Sequence, residues 1–524
     1  MMALVILLMT ATVMFVGCKK PATEQVPALT SSGKLVVEMF DRGTDGGRTM
    51  AHDNAWTDWI KEKVKKDLGI DVTFQPVGRW SENTDIVNLM ASASAPDLCY
   101  TYNGEMIDTF RNSGGILDLS PFIDSYLPDL KKLLGEDPVF PGKDFIRRDN
   151  INTGGTGAIY KIASARVALA MRNIFIRKDW LDKLGLKVPS NINEFHDALI
   201  AFRDKNPGNV GNRTVPFLQG SDARWGLADF IANSYTKGRS DREIWINSIV
   251  GQAGERSVNM PGFKEGVRVM NQWYNEKLIY QDFPLVTVAE DGYNILKSGV
   301  AGAFSGNWDY AYRTDLAINA DLAKNVPGAS FVAIDLNLSN KAKLDKVGLY
   351  IFIPAFSKNQ KEALQYLNWL SKFENFNFLQ IGERGRNHNL VNGVPQVIPS
   401  TDPRWIQNSA QNIDITMPLN GVYLGSDDDN AKVLALSYPG TPAETVVEAY
   451  NISVKDARAP IVHPAVLQVT QYSQTLADKA DALIAQAVRT PTAQFDRVWD
   501  DGFRDWMASG AQEVINERTS QWPQ

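Results

Sequence analysis

Thirteen tryptophans and sixteen tyrosines give this 524-residue chain a large supply of flat apolar faces with a polar tip. Several stand beside arginine or a hydrogen-bonding side chain. Trp80 follows Arg79 and Trp225 follows Arg224, both in stretches that read as exposed loops. Tyr102-Asn103 and Asp41-Arg42 each follow a predicted strand, and the crevice beyond strand ends is where α/β sheets bind ligands. Arg384, in Gly382-Glu383-Arg384-Gly385, offers a planar fork that pairs with a carboxylate at two points, such as that of a uronic acid. A sugar shows an apolar C–H face and a ring of hydroxyls. Aromatic platforms with Asp, Asn and Arg around them answer both. Packing inside an aromatic-rich core is the alternative use of each of these side chains.

Bond-making chemistry is the rival class. A glycosidase needs two carboxylates at a defined separation, and with 60 Asp plus Glu such a pair is available in principle. No GxSxG, HExxH or Walker A pattern occurs, however. Gly154-Gly155-Thr156-Gly157 lacks the Gly-Lys-Ser/Thr of a phosphate loop. The four histidines (His52, His196, His388 and His463) lie far apart, and no His/Cys cluster has zinc-ligand spacing. A net charge of −6 leaves no basic field for nucleic acid. The reading is therefore of a binding protein rather than an enzyme, with no metal and no cofactor.

The N-terminus fixes the compartment. Met1 to Gly17 is almost wholly apolar, shorter than the roughly 20 residues of a membrane-spanning helix, and reads as a secretory signal. Phe15-Val16-Gly17-Cys18 resembles the bacterial lipobox, which makes Cys18 the lipidated residue at the start of the mature chain. An uncleaved anchor helix is the alternative, and either puts the remainder on the extracytoplasmic side of the cell membrane. Lys19 to Gly33 is rich in Pro, Ser and Thr and reads as a flexible tether. Only Cys99 remains after Cys18, so no intramolecular disulfide is expected, and its apolar setting marks it as a buried structural thiol.

Behind the tether the hydrophobic pattern alternates between periods. Leu35–Phe40 reads as a strand and Asn54–Leu68 as a helix closed by Gly69. Ile70–Phe74 is a strand, Ile86–Ala95 a helix and Asp97–Tyr102 a strand. That order implies right-handed crossovers and a largely parallel sheet. The grammar then repeats, with strands at Ile174–Ile176, Ala303–Phe304 and Val347–Pro354. Helices are predicted at Asp179–Leu184, Asn193–Arg203 and Lys358–Phe373. From about Pro395 the chain is loop-rich, and it turns helical from Pro464. The length calls for about two lobes.

Several segments together resemble the family 1 extracellular solute-binding proteins, the substrate-binding lipoproteins of ABC transporters, of the oligosaccharide or complex-polysaccharide type. They are Ala95-Pro96-Asp97-Leu98, Gly114-Gly115-Ile116-Leu117-Asp118-Leu119-Ser120-Pro121, Phe175 to Leu186 with its continuation Val188-Pro189 to Glu194-Phe195, Ser298 to Ala303, and Asn307-Trp308. The resemblance implies a two-lobed α/β fold of the periplasmic-binding-protein type II, maltose-binding-protein-like, with hinge strands and a ligand cleft. It assigns 34–172 plus about 345–405 to lobe 1, and 173–344 plus about 406–524 to lobe 2. It places Trp308 over the ligand. It implies a monomer that hands a carbohydrate to the transmembrane subunits of an ABC permease. A surface glycosidase or lyase, or a sensor that presents its ligand to a receptor, remains the alternative.

One departure bears on metal. Long members of the family often carry a calcium loop after the helix that here spans Glu194–Arg203. Asn206 to Pro216 is one residue shorter than that loop, and Arg213-Thr214 replaces its acidic pair. Calcium takes six to eight oxygens, usually with several carboxylates, so this loop is expected to work without it.

Overall fold

The computed structural model describes residues 27–41, 50–79, 81–136, 142–148, 157–220, 226–248, 257–287, 289–313, 316–398, 404, 413–420, 432–435, 438, 440–458, 461 and 467–522. Two apolar cores dominate it. One is built on residues 35–167 and 347–419, the other on residues 174–336 together with the C-terminal helices.

In the first lobe, β1 (Lys34–Asp41), α1 (Ala55–Leu68), β2 (Asp71–Gly78), α2 (Glu82–Ala91) and β3 (Cys99–Thr101) follow one another as the periodicity predicts. Asn54 starts α1 with a capping box shared with Thr57, and Gly69 stops it in the left-handed region at φ 74°. Trp56, Ile60 and Val64 face inward from α1. β1 and β2 pair in parallel from Lys34–Asp71 to Asp41–Gly78. A parallel bridge between Val37 and Leu98 continues the surface to β3. Beyond β3 come β9 (Val347–Phe352), β4 (Ile162–Arg166) and β12 (Leu419–Asn420). The second lobe has the order β6 (Val215–Leu218), β7 (Ala301–Asn307), β5 (Arg172–Arg177), β8 (Phe331–Ile334).

The sheets are mixed rather than largely parallel, and the reason is topological. β9 is antiparallel to β3 and β4, and β5 is antiparallel to β7 and β8. Each is the strand that enters its lobe from the other one, so it runs away from the hinge. The strands built by crossovers within a lobe run toward it. Consequently β1, β2, β3 and β4 end on the same edge at which β9 begins. β6, β7 and β8 likewise end where β5 begins. These two edges face each other across the linkers 167–171 and 335–346. The linkers are joined by a hydrogen bond from Leu344 N to Leu169 O of 2.9 Å.

Two boundaries differ from the sequence expectation. Residues 30–33, expected in the tether, are hydrogen-bonded to lobe 1. Residues 413–420, expected in lobe 2, add β12 to the lobe-1 sheet beside β4. A hairpin, β10 (His388–Val391) with β11 (Val394–Val397), also interrupts the stretch leading into the loop-rich region. Farther on, α-helices cover Ala443–Val454, Leu467–Arg489, Phe495–Trp506 and Gln512–Gln521. No described helix is long and apolar enough to cross a membrane.

Candidate functional site

The lobe-1 edge is a layered cluster. Tyr102, half-buried, stands directly past β3. The ring stacks on Phe40 with centroids 6.1 Å apart and 14° between planes. The Arg79 guanidinium lies 4.2 Å from the Tyr102 ring centroid and 3.3 Å from Glu82. The Tyr102 hydroxyl donates to Asp414 Oδ1 at 2.7 Å, across 312 residues of sequence. Glu82 Oε1 accepts from the Thr101 hydroxyl and the Tyr102 N–H, both at 3.3 Å.

Beneath this layer Glu38 is fully buried and accepts the Tyr100 N–H at 3.1 Å. Burial pushes its carboxyl well above the usual range. The Tyr100 N–H opposes the shift, and the charges of Glu82 and Asp414 add to it. Burial also raises the Glu82 carboxyl, against the pull of Arg79 and the two donors on Oε1. Among the described residues, this part of the edge is thus a buried acidic layer with the Arg79 guanidinium and the Tyr102 ring against it.

The lobe-2 edge is finished differently. Asn307 ends β7, and Trp308 after it is only 6% exposed. Its ring meets Tyr450 and Tyr438 edge-on at 5.4 and 6.3 Å. The Trp308 backbone N–H donates to Met171 O at 3.0 Å, in the first linker. The resemblance places Trp308 over the ligand, whereas the structure packs it inside the wall, with two tyrosines from the C-terminal segment against its ring. Asp309 accepts the Tyr438 hydroxyl at 2.6 Å. Tyr310 is half-buried beside Tyr293, with the Arg313 guanidinium 5.8 Å from its ring centroid.

The other sequence candidates divide among caps, turns and undescribed positions. Asn103 caps the helix Gly104–Asn112, accepting from Met106 N at 3.1 Å, and donates to Asn83 at 3.0 Å. Asp41 is exposed at the end of β1, where its carbonyl accepts from Arg79 N at 2.9 Å. Arg384 is exposed in the turn before β10, bridged to His388. Arg42, Trp80, Trp225 and Cys18 lie outside the described residues. Sequence reasoning missed Glu38, Glu82, Asp309, Tyr310, Asp414 and Tyr438. Asp309 and Tyr310 were recoverable as neighbours of Trp308. Asp414 carried no local signal, since only the return of residues 413–420 to lobe 1 brings it to Tyr102.

The loop Asn206–Pro216 leads into β6 at the edge remote from the hinge. Asn206 adopts φ 46°, and its side-chain oxygen accepts from Val210 N at 2.9 Å and the Thr214 hydroxyl at 3.0 Å. Asp204 is clamped at both oxygens by Arg203, at 2.6 and 3.0 Å. The Lys183 ammonium donates to Pro207 O at 2.5 Å. With its carboxylate and carbonyl already committed to cations, this donor set does not fit calcium. Among the described residues no group of three or more His, Cys, Asp or Glu side chains is placed to hold a metal ion.

A sequence profile described as bacterial extracellular solute-binding protein matches residues 49–374. The fructooligosaccharide ABC transporter substrate-binding protein FusA of Streptococcus pneumoniae is 26% identical over 238 residues, 42% of this chain and 41% of FusA. Lipoprotein LipO of Bacillus subtilis is 23% identical over 472 residues, 86% of this chain and 85% of LipO. Among solved structures, the calcium-free crystal structure of the alginate-binding protein AlgQ2 superposes with a TM-score of 0.62 at 19% identity. It covers 96% of this chain and 99% of that one, a likeness of fold.

Proposed function

We propose that this chain, which belongs to the bacterial extracellular solute-binding protein family, captures a carbohydrate between its lobes and delivers it to an ABC-type import permease. The observation that carries this reading is the pairing of two strand-end edges across linked hinge segments, one of them presenting Tyr102 with the Arg79 guanidinium against its ring. Clefts between domains are the usual small-molecule sites, and closure about a hinge traps the ligand. A half-buried tyrosine offers a C–H face somewhere to stack, while Arg79 supplies donors and Asp309 acceptors for hydroxyls. FusA, a partial relative, is named for a fructooligosaccharide, which supports an oligosaccharide as the ligand. LipO is named a lipoprotein, which supports anchoring through Cys18 at the extracytoplasmic face.

The same cluster argues for binding without turnover. Glu38 and Glu82 have the raised proton affinity of general acids, yet they are 0% and 3% exposed, beyond reach of a glycosidic oxygen. A melting screen against neutral fructooligosaccharides and against oligogalacturonides tests the proposal, since a ligand that binds only the folded state raises the melting temperature. One class should shift it, and the shifting sugar should be recovered uncleaved. No shift with any oligosaccharide overturns carbohydrate capture, and new reducing ends overturn the non-enzymatic reading.

A further inference from the structure

The last residues ahead of β1 do a helix's capping for it. α-Helix Gln360–Leu370 begins at Asn359, whose own side chain makes no capping bond. Thr30 fills the gap from outside. Its hydroxyl accepts from Gln360 N at 3.3 Å and donates to Ser357 O at 2.9 Å, and its carbonyl accepts from Lys361 N at 3.1 Å. Two otherwise orphaned N–H groups of the first turn are thereby satisfied.

Glu362, in the same turn and 3% exposed, holds the next three residues. Its Oε1 accepts from the Ser31 hydroxyl at 2.6 Å, from Ser32 N at 3.1 Å and from Gly33 N at 2.7 Å. Burial opposes its ionisation, but the Ser31 hydroxyl and the backbone donors outweigh that and hold its carboxyl below the usual range. Leu29 packs on the lobe-1 core. Thr30–Gly33 are therefore part of the lobe, fastened to the edge where β1 begins and β9 ends. That edge is opposite the one facing the hinge.

We infer that the outer edge of lobe 1 is the membrane-proximal end of the protein. This rests on anchoring through Cys18. Ten residues, Lys19–Ala28, then separate Cys18 from the docked segment, rather than fifteen. Ten residues span at most about 35 Å, against a radius of gyration of about 23 Å for a body of this size. That limit keeps the point of attachment, and with it the Gln360 end of the helix, within about 35 Å of the lipid surface. The far edge of lobe 2, where β8 begins, lies a whole molecule away.

Two measurements test this, and they fail separately. The first is hydrogen exchange on the soluble chain beginning at Lys19. The Ser32 and Gly33 amides should exchange on the order of 100-fold slower than an unstructured peptide, and the protection should collapse in Glu362→Ala. The double variant Thr30→Val with Ser31→Ala, which leaves Glu362 itself in place, should weaken it as well. Unprotected amides in the unaltered chain overturn the docking.

The second couples the chain beginning at Cys18 to maleimide-lipid vesicles, which bypasses biological lipidation; Cys99 is buried and does not compete. A fluorescent amino acid at exposed position 361 should transfer energy to a lipid dye at least about twofold more efficiently than one at position 324, given a span no longer than about 35 Å. Equal or reversed transfer overturns the orientation. A fatty-acid analogue that never labels Cys18 in cells overturns the anchor, and with it the membrane-proximal assignment, while leaving the docking to the first measurement.

Discussion

Tyr102 and Trp308 occupy matching positions in the two lobes, each directly past a strand that ends at the hinge edge, yet they are finished in opposite ways. Tyr102 is half-buried over a polar layer of Glu38 and Glu82, with the Arg79 guanidinium against its ring. Trp308 is covered, with Tyr438 and Tyr450 packed against its ring. An aromatic residue at a strand end therefore announces a wall of the cleft, but the neighbour that arrives later in the chain decides whether it serves the ligand or the lobe. The C-terminal segment makes that choice on both sides. Asp414 takes the Tyr102 hydroxyl while leaving the ring partly open, and Tyr438 bonds Asp309 while closing over Trp308.

The sharpest way to break this contrast is Trp308→Ala. Removing a buried indole should cost about 3–5 kcal/mol of lobe-2 stability, read as a lower urea midpoint, with ligand affinity little changed at temperatures where the variant is folded. Intact stability with lost affinity would reverse the assignment of the two walls. Tyr102→Ala is the counterpart. A stacking contact of roughly 40–80 Å² at about 25 cal/mol per Å² is worth about 1–2 kcal/mol, so affinity for the sugar found by screening should fall about 5- to 30-fold. The melting temperature without ligand should move less than in Trp308→Ala. Unchanged affinity would shift recognition to Tyr310 and its neighbours.

The fold was legible where the pattern is local. The β1–α1–β2–α2–β3 order, the Gly69 stop and the strand at Val347–Phe352 follow from periodicity and capping, which neighbouring residues specify. The site was legible only in part. Tyr102 could be found because a strand end is a local feature. The fate of Trp308 depended on Tyr438 and Tyr450, more than a hundred residues on, and no periodicity encodes that. The tether was misjudged for a related reason. Thr30, Ser31, Ser32 and Gly33 have the composition of a linker, but Ser/Thr hydroxyls and backbone N–H groups are also what an uncapped helix and a buried Glu362 require.

Acidity gives a finer test of the polar underlayer. Glu38 binds its proton more tightly folded than unfolded, because burial raises it above its usual value of 4.5. Stability from such a group is fully present below the unfolded value and is lost as pH rises from there through the raised folded value. The contribution of Glu38 to the melting temperature should therefore decline as pH climbs from about 4.5 toward neutrality, so the melting temperature of Glu38→Gln should fall less with pH than that of the unaltered protein, with Glu82 still acting in the same direction. A decline of unchanged slope in Glu38→Gln would mean that burial of Glu38 does not carry the pH dependence.

The smallest expected effect concerns what stiffens the other wall. β6 ends at the lobe-2 edge and starts from the Asn206–Pro216 loop, so a metal bound there would be a rival source of order for that wall. The loop is instead closed by its own groups. Asn206 bonds Val210 and Thr214, Arg203 clamps Asp204, and the Lys183 ammonium sits on the Pro207 carbonyl. An incoming calcium ion would have to displace Arg203 from Asp204, displace Lys183 from Pro207, and still find the remainder of its six to eight oxygens. EDTA should accordingly leave the melting temperature unchanged, and added calcium should not raise it. Asn206→Ala, which removes two acceptor bonds and leaves a non-glycine residue at positive φ, should cost about 1–2 kcal/mol with or without calcium. A calcium-dependent rise of several degrees that Asn206→Ala abolishes would show that the loop opens to admit the ion. The rigidity of the lobe-2 wall would then owe as much to metal as to the packing of Trp308.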